Sequence, residues 1–202
     1  MDRKIGLFWL RDDFRLAKNN GLIEATTKHD QVVVFYLYKQ DDYKLQEAQK
    51  WWLSKSLLNF RKKLNDLNIS LEIVETNSFK FFFDKLIKKK GFSIYWNKVY
   101  EPDYLKFDKY LLSILKDQNI QHKRFKGNAL NEIDEIKKGD GTPFKVFTPF
   151  WRTAEKFYIE KVPSREKIIK RCKKKINYFK NCIEPEKILP KKSWYKNFEK
   201  IW

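Results

Sequence analysis

Residues 97–103 read NKVYEPD and gather the side chains best suited to holding a ligand. Asn97, Tyr100, Glu101 and Asp103 bring an amide, an aromatic ring and two carboxylates into one short stretch. Such a set suits a planar heteroaromatic molecule with polar edges, and simple loop capping is the competing reading. A second charged group, Arg11, Asp12, Asp13 and Arg15, follows an apolar run. Alternating charges there suggest an internal salt-bridge knot, with Asp13 and Arg15 pinning neighbouring loops over the strand ends; direct ligand contact is the alternative. A third group lies at 139–152 (GDGTPFKVFTPFWR). Lys145, Arg152 and Lys156 there flank Phe144, Phe147, Phe150 and Trp151. Cations interleaved with aromatic rings are a nucleic-acid pattern, although core packing also produces such runs in a chain that is 17% aromatic.

Other chemistries find little support. His29 and His122 are the only histidines, far apart and outside any nucleophile motif, so surface or edge positions are expected for both. Glu132, Asp134 and Glu135 read as a solvated cluster beside a loop. Cys172 and Cys182 form neither a disulfide framework nor a metal-ligand pattern. The first strand-to-helix turn lacks G-x-G-x-x-G spacing, so close backbone approach to a pyrophosphate is not encoded in the usual way. No metal is expected.

The elements that must position these residues alternate. Apolar or β-branched runs at 4–10, 31–38, 70–74 and 92–96, and a weaker one at 121–125, read as strands of a buried parallel sheet. Between them, 45–67 carries a broad apolar stripe through Trp52, Leu57, Phe60 and Leu64. Residues 78–90 start with a Ser78 N-cap signal and stop at Gly91. Pro102 suits the first turn of a helix over 102–117. A further helix is expected from about Thr148 to Tyr158. The order implies an α/β fold: a Rossmann-like five-stranded parallel sheet with helices on both faces. Ligands of open α/β sheets bind beyond the carboxyl ends of the strands. The expected crevice is therefore lined by Trp9 to Arg11, Leu37 to Gln40 with Tyr38, and Asn97 to Asp103.

Residues 161–202 read as a Lys-rich linker, set apart from a domain over 1–160. It carries Pro185, Pro190, Trp194 and Trp202. Those terminal aromatics either pack back on the sheet or await a partner. The formal net charge is +18, and residues 153–202 contribute 15 basic and 6 acidic side chains. Two readings stay open: lysine enrichment by codon bias, since lysines outnumber arginines 36 to 8, or a phosphate-facing patch. No apolar run approaches the length of a membrane span. The first residues read as a strand rather than a signal peptide, and a cytoplasmic location with reduced thiols is expected.

Four segments together carry a family resemblance. WLRDDFRLAKNNGL at 9–22 is similar to W-F-R-x-D-L-R-L-x-D-N-P-A-L, with Lys18 and Asn20 departing from the usual Asp and Pro. IYWNKVYEP at 94–102 resembles V-Y-W-N-x-x-Y-E-P. WWLSKSLLNFRKKL at 51–64 resembles a helix with W-x-x-x-S-L-x-x-L, and GDGTPFKVFTPFWR resembles G-x-G-x-P-[FY]-x-V-[FY]-[ST]-P-F. The chain thus resembles the N-terminal α/β domain of the DNA photolyase/cryptochrome family, most like photolyases that repair cyclobutane pyrimidine dimers. The resemblance implies an antenna domain that binds a light-harvesting chromophore: a reduced folate, a deazaflavin or a flavin. Excitation would pass to FAD in a helical domain, which is absent from these residues, so catalysis by this chain alone is not expected. Tyr104 stands where some folate-binding members carry Glu, and Lys106 where some deazaflavin binders carry an acid, which leaves the antenna undecided. The resemblance also implies DNA as the partner of the full-length form, and self-association where the helical domain would sit. A cryptochrome-type light-signalling domain and a stand-alone basic nucleic-acid or partner-binding module are the alternatives.

Overall fold

Buried β-branched and aromatic runs make the centre of the protein a sheet. The computed structural model describes residues 5–39, 45–127, 129, 132, 135–157 and 168–200. Gln40, Asp134, 158–167 and Trp202, to which the sequence assigns expectations, lie outside the described residues. Strands β1 (Ile5–Leu10), β2 (Val32–Tyr38), β3 (Ser70–Glu75), β4 (Phe92–Asn97) and β5 (His122–Phe125) are mutually parallel, in the order β5-β4-β1-β2-β3. β1 is central and pairs with both β2 and β4, so the chain reverses its winding direction there. The fold expected from the sequence is the one observed, with one addition. β6 (Cys182–Ile183) joins the free edge of β3 in antiparallel register.

Period-two alternation along the strands sends side chains to two separate cores. Phe8, Leu10, Val32 and Val34 meet α1 (Asn20–Lys28) and α2 (Glu47–Asn65) through Leu22, Ala25, Leu57, Phe60 and Leu64. Leu7, Trp9, Val33 and Phe35 meet α3 (Phe79–Leu86) and α4 (Pro102–Asp117) through Phe83, Leu86, Leu111 and Leu115. α2, α3 and α4 begin where the apolar stripe, Ser78 and Pro102 place them. Ser78 accepts a hydrogen bond from the Phe81 amide at 3.3 Å as the N-cap of α3. α3 ends at Leu86, four residues before the expected stop, and Gly91 takes φ +90° before β4.

Two local devices set α1. Asn19 Oδ1 caps the helix by accepting from the Leu22 amide at 3.1 Å. Gly21 allows close approach to the sheet: a Cβ there would stand 2.7 Å from Phe8 Cε2 and from Asn97 Oδ1. α5 (Phe147–Phe157) lies where a helix is expected, and its start is exposed: Val146 just before it is 62% and Phe147 71% accessible.

The described part of the expected linker is a strap rather than a free connector. Its backbone hydrogen-bonds to the loops before the strands, from Cys172 N to Leu67 O (2.8 Å) and from Lys173 N to Asp30 O (3.0 Å). Cys172 belongs to the α1/α2 core, whereas Ile176, Tyr178 and Phe179 pack on the α3/α4 core. The strap thus passes beneath the sheet, turns up the β3 edge as β6, and returns over α2 with Ile188 buried. It ends in α6 (Tyr195–Glu199), where Trp194 and Phe198 approach Trp51 at 6.2 and 5.4 Å between ring centroids. The reason is an unpaired edge. β3 would otherwise present open backbone groups and a half-covered face, and SLEIV alternates because one face is finished by the strap.

Candidate functional site: a crevice at the strand carboxyl ends

The strands deliver their carboxyl ends, and the helices their amino ends, to one side of the molecule. A cavity of about 560 Å³ opens there. Tyr36, Lys39 and Leu45 come from the end of β2 and the start of the α2 connection, and Asn77 to Lys80 from the start of α3. Glu101, Asp103, Tyr104 and Phe107 come from the start of α4, and Asp12 from the β1 loop. Its walls are aromatic, with Phe79 and Tyr104 at 6.2 Å between centroids. Its rim carries both signs, Lys39 and Lys80 against Asp12, Glu101 and Asp103. Desolvation by the crevice walls, then the charge of Glu101, raises the Asp12 carboxyl above its ordinary pKa, against the opposing charge of Arg11, although Asp12 stays exposed at the rim. A carboxylate held against these penalties stores an electrostatic imbalance that a ligand donor or cation could relieve.

The structure separates the residues expected in this crevice. Glu101 and Asp103 line it. Trp9 and Arg11 lie beneath it, against Phe79 and Tyr104, whereas the Asn97 side chain turns towards α1 and bonds Asn19 and Asp13. Trp9 is 1% exposed and packs edge-on against Phe79 and Phe83. Leu37 and Tyr38 are buried in opposite cores. Tyr100 turns away and hydrogen-bonds Glu132 at 3.2 Å, while Lys98 binds the same carboxylate at 2.5 Å. Tyr36, near the end of β2, and Lys39, just beyond it, reach the cavity, while Leu37 and Tyr38 between them turn into the two layers.

Asp108 was missed by sequence reasoning. It is fully buried on α4. It accepts from Arg11 Nη1, Trp96 Nε1 and Arg124 Nη1, each at 3.2 Å. Arg11 also donates to the Asn97 carbonyl, and its guanidinium lies 4.7 Å from the Trp9 ring centre and 5.3 Å from that of Tyr104. Burial lowers the Arg11 pKa, and Asp108 opposes that effect. An aspartate seven residues into a helix gave no warning; only a buried arginine requiring a counter-charge could have pointed to it.

The expected knot therefore divides. Arg11 pairs inward with Asp108, whereas Arg15 pairs locally with Asp13 at 2.7 Å near the surface. Asp13 also accepts from Asn97 Nδ2 at 3.2 Å, which ties the β1 loop to the end of β4. His29 is half-buried and shares a 2.9 Å hydrogen bond with Tyr95; His122 stacks on Trp96. Among the described residues no group of His, Cys, Asp or Glu could hold a metal ion, and no helix is long and apolar enough to cross a membrane. Beside the crevice, sharing Asp12 with it, lies an aromatic cavity of about 650 Å³ between Phe14, Trp51, Trp52, Trp194 and Phe198.

This arrangement has close counterparts. The model of the DNA photolyase family matches residues 6–167. The chain belongs to the DNA photolyase family. This photolyase-family chain is 28% identical, over 97% of its length, to a deoxyribodipyrimidine photo-lyase of Agrobacterium fabrum, and spans 41% of that protein. It is 28% identical over 72% of its length to cryptochrome-1 of Arabidopsis thaliana, spanning 22% of it. The crystal structure of a bacterial class III photolyase from Agrobacterium tumefaciens superposes with a TM-score of 0.82 at 27% identity, covering all of this chain and 42% of that one. An archaeal photolyase from Sulfolobus tokodaii, solved with two FAD molecules, shares the fold at a TM-score of 0.69 and 18% identity. The photolyase-family chain thus corresponds to about two-fifths of the length of its photolyase relatives.

Proposed function

We propose that this chain is the light-harvesting antenna domain of a deoxyribodipyrimidine photolyase, and that the crevice over β1, β2 and β4 holds the antenna chromophore. The observation that carries this reading is the crevice itself, with aromatic walls from Phe79, Tyr104 and Tyr36 and polar edges of both signs. That donor set fits a planar heteroaromatic group with ionisable edges, as in a reduced folate, a deazaflavin or a flavin. Tyr104 and Phe79 would face its ring; Lys39, Lys80, Glu101 and Asp103 would meet its edges. When bound, such a group supplies absorption in the near-ultraviolet or blue. Energy transfer depends on position and orientation, so the protein's task is to hold the ring and exclude water. The buried Arg11–Asp108 pair serves that task by fixing the loop of Asp12 and the start of α4.

In the full-length form the excitation would reach FAD in a helical domain and drive repair of DNA. Exposed Phe147 and Trp151 on α5 would contact that domain, and Lys145 and Arg152 beside them would contact DNA. A cryptochrome-type signalling role is the second reading, favoured by the resemblance to cryptochrome-1.

The test is the absorption spectrum of the chain purified from its native host, followed by titration with each of the three chromophore classes. A near-ultraviolet or blue band that survives gel filtration, or micromolar binding of one class, is expected. Tyr104→Ala and Phe79→Ala should weaken binding at least tenfold. Binding lost on Trp52→Ala and kept in both crevice variants would move the ligand to the neighbouring aromatic cavity. No band and no binding would overturn the antenna reading.

A further inference from the structure

The side of the molecule opposite the crevice collects cations from separate segments. Each helix runs back against the strand it follows, so the last turns of α1, α2 and α4 end there, bringing Lys28, Lys62, Lys63 and Lys116. The turn after α3 adds 88–90, and all of these lysines are exposed. A lysine in the last turn of a helix has a local explanation, the negative end of the helix dipole. Of the strap cations, Lys173 meets Asp30 and Lys175 meets Asn65 at the end of α2. Residues 170–175 (KRCKKK) place five cations in six residues across this already basic face.

The strap does not hold those charges loosely. Lys170 N donates to Thr26 Oγ1 (3.1 Å), Asn68 Nδ2 donates to Cys172 O (3.0 Å), and Ser70 Oγ donates to Ile176 O (2.6 Å). Lys89 lies 5.4 Å from the Tyr178 ring centre, which brings the 88–90 turn against the strap. Some of the charge is compensated, by Glu24 for Lys28 and by Asp30 for Lys173. Lys88, Lys90, Arg171 and Lys174 have no carboxylate within 4.0 Å among the described residues. Like charges fixed this densely repel one another, at a cost to the compact state that a bound polyanion removes.

We infer that this face, formed by the strap and the lysines at the strand amino ends, binds the phosphate backbone of double-stranded nucleic acid. Lysines carried on a pinned backbone suit a regular array of phosphates. A bilayer would need apolar insertion as well, and Ile168 is the large exposed apolar side chain that the strap offers this face. The inference is independent of the chromophore reading, and the surface is separate from Lys145 and Arg152 on α5.

The test is fluorescence anisotropy of a labelled duplex of about 20 base pairs, long enough to present a continuous phosphate array, with the full 202-residue chain over a salt series. Binding should fall linearly in log–log form with salt. The variant K88Q/K90Q/K174Q, checked for unchanged circular dichroism, should bind at least tenfold more weakly at low salt. Its slope should be shallower by about 0.9 for each phosphate that it no longer neutralises. An unchanged affinity and slope in this variant would overturn the inference, as would weakening confined to K145Q/R152Q. Binding to phosphatidylserine vesicles without binding to the duplex would also overturn it and assign the face to a membrane surface.

Discussion

At the scale of single residues, two buried carboxylates organise the protein. Asp108 neutralises Arg11 and is the shared acceptor of Arg11, Trp96 and Arg124. Removing one partner of a buried pair leaves the other charged and unsolvated. Asp108→Ala should therefore cost about 3 kcal/mol or more, read as a lower urea midpoint. A loss under about 1 kcal/mol, the range of a solvated pair, would mean that water reaches Arg11. Glu72 acts on the strap and on Cys182, whose sulfur lies 3.7 Å from Glu72 Oε2. Burial, and then the Glu72 charge, pushes the Cys182 thiol up to about 12 from an ordinary value of 9. With the folded pKa above the unfolded one, the thiol's contribution to stability is complete below pH 9 and is lost as pH rises towards 12. At about pH 8 the folded chain should therefore hold much less Cys182 thiolate than an ordinary thiol would. Alkylation by iodoacetamide should be correspondingly slow, and faster in Glu72→Ala. Rapid native-state labelling at Cys182 would refute this.

Among the elements, the strap and the β3 edge complete each other. Glu72 accepts from the amides of Tyr178 and Phe179 at 2.8 and 2.6 Å. Charge-assisted hydrogen bonds of this kind contribute about 1.5–3 kcal/mol each when buried. Glu72→Ala should loosen 176–183 first, with faster hydrogen exchange at Tyr178 and Phe179 and little change in β1 and β4. Uniform acceleration across the sheet would instead make the strap part of one cooperative unit with the core. The strap also builds one wall of the aromatic cavity, where Trp51 Nε1 donates to Glu199 at 2.7 Å and Lys55 binds the same carboxylate.

For the whole molecule, one exposed apolar surface is the start of α5. Phe147 stacks on Trp151 with rings 12° from parallel, and they are 71% and 41% exposed. A contiguous aromatic face of this kind marks an interaction site. The chain corresponds to about two-fifths of the length of its Agrobacterium relatives, and under the proposed function this face would meet a helical domain. Purified alone, the chain should self-associate through it at high concentration. Phe147→Ser with Trp151→Ser should restore a monomer by light scattering. A wild-type monomer at high concentration would argue that the face is satisfied without a partner.

The sequence by itself determined the α/β class, the five parallel strands, the starts of three flanking helices to within two residues, and the family. Those features rest on short-range signals: β-branched runs, an apolar stripe at helical spacing, Ser78 as a cap and Pro102 at a first turn. It also pointed to the carboxyl ends of the strands and to Glu101 and Asp103. Only the tertiary structure decided that Trp9 and Arg11 support the crevice from below, that Tyr36, Lys39 and Phe79 line it, and that Asp108 is the counter-charge. It alone turned the Lys-rich end into a strap that finishes the β3 edge. The physical reason is common to all of these. Which way a strand residue points depends on register, and which charge meets a buried arginine depends on partners as far as 97 residues away. Local spacing carries neither.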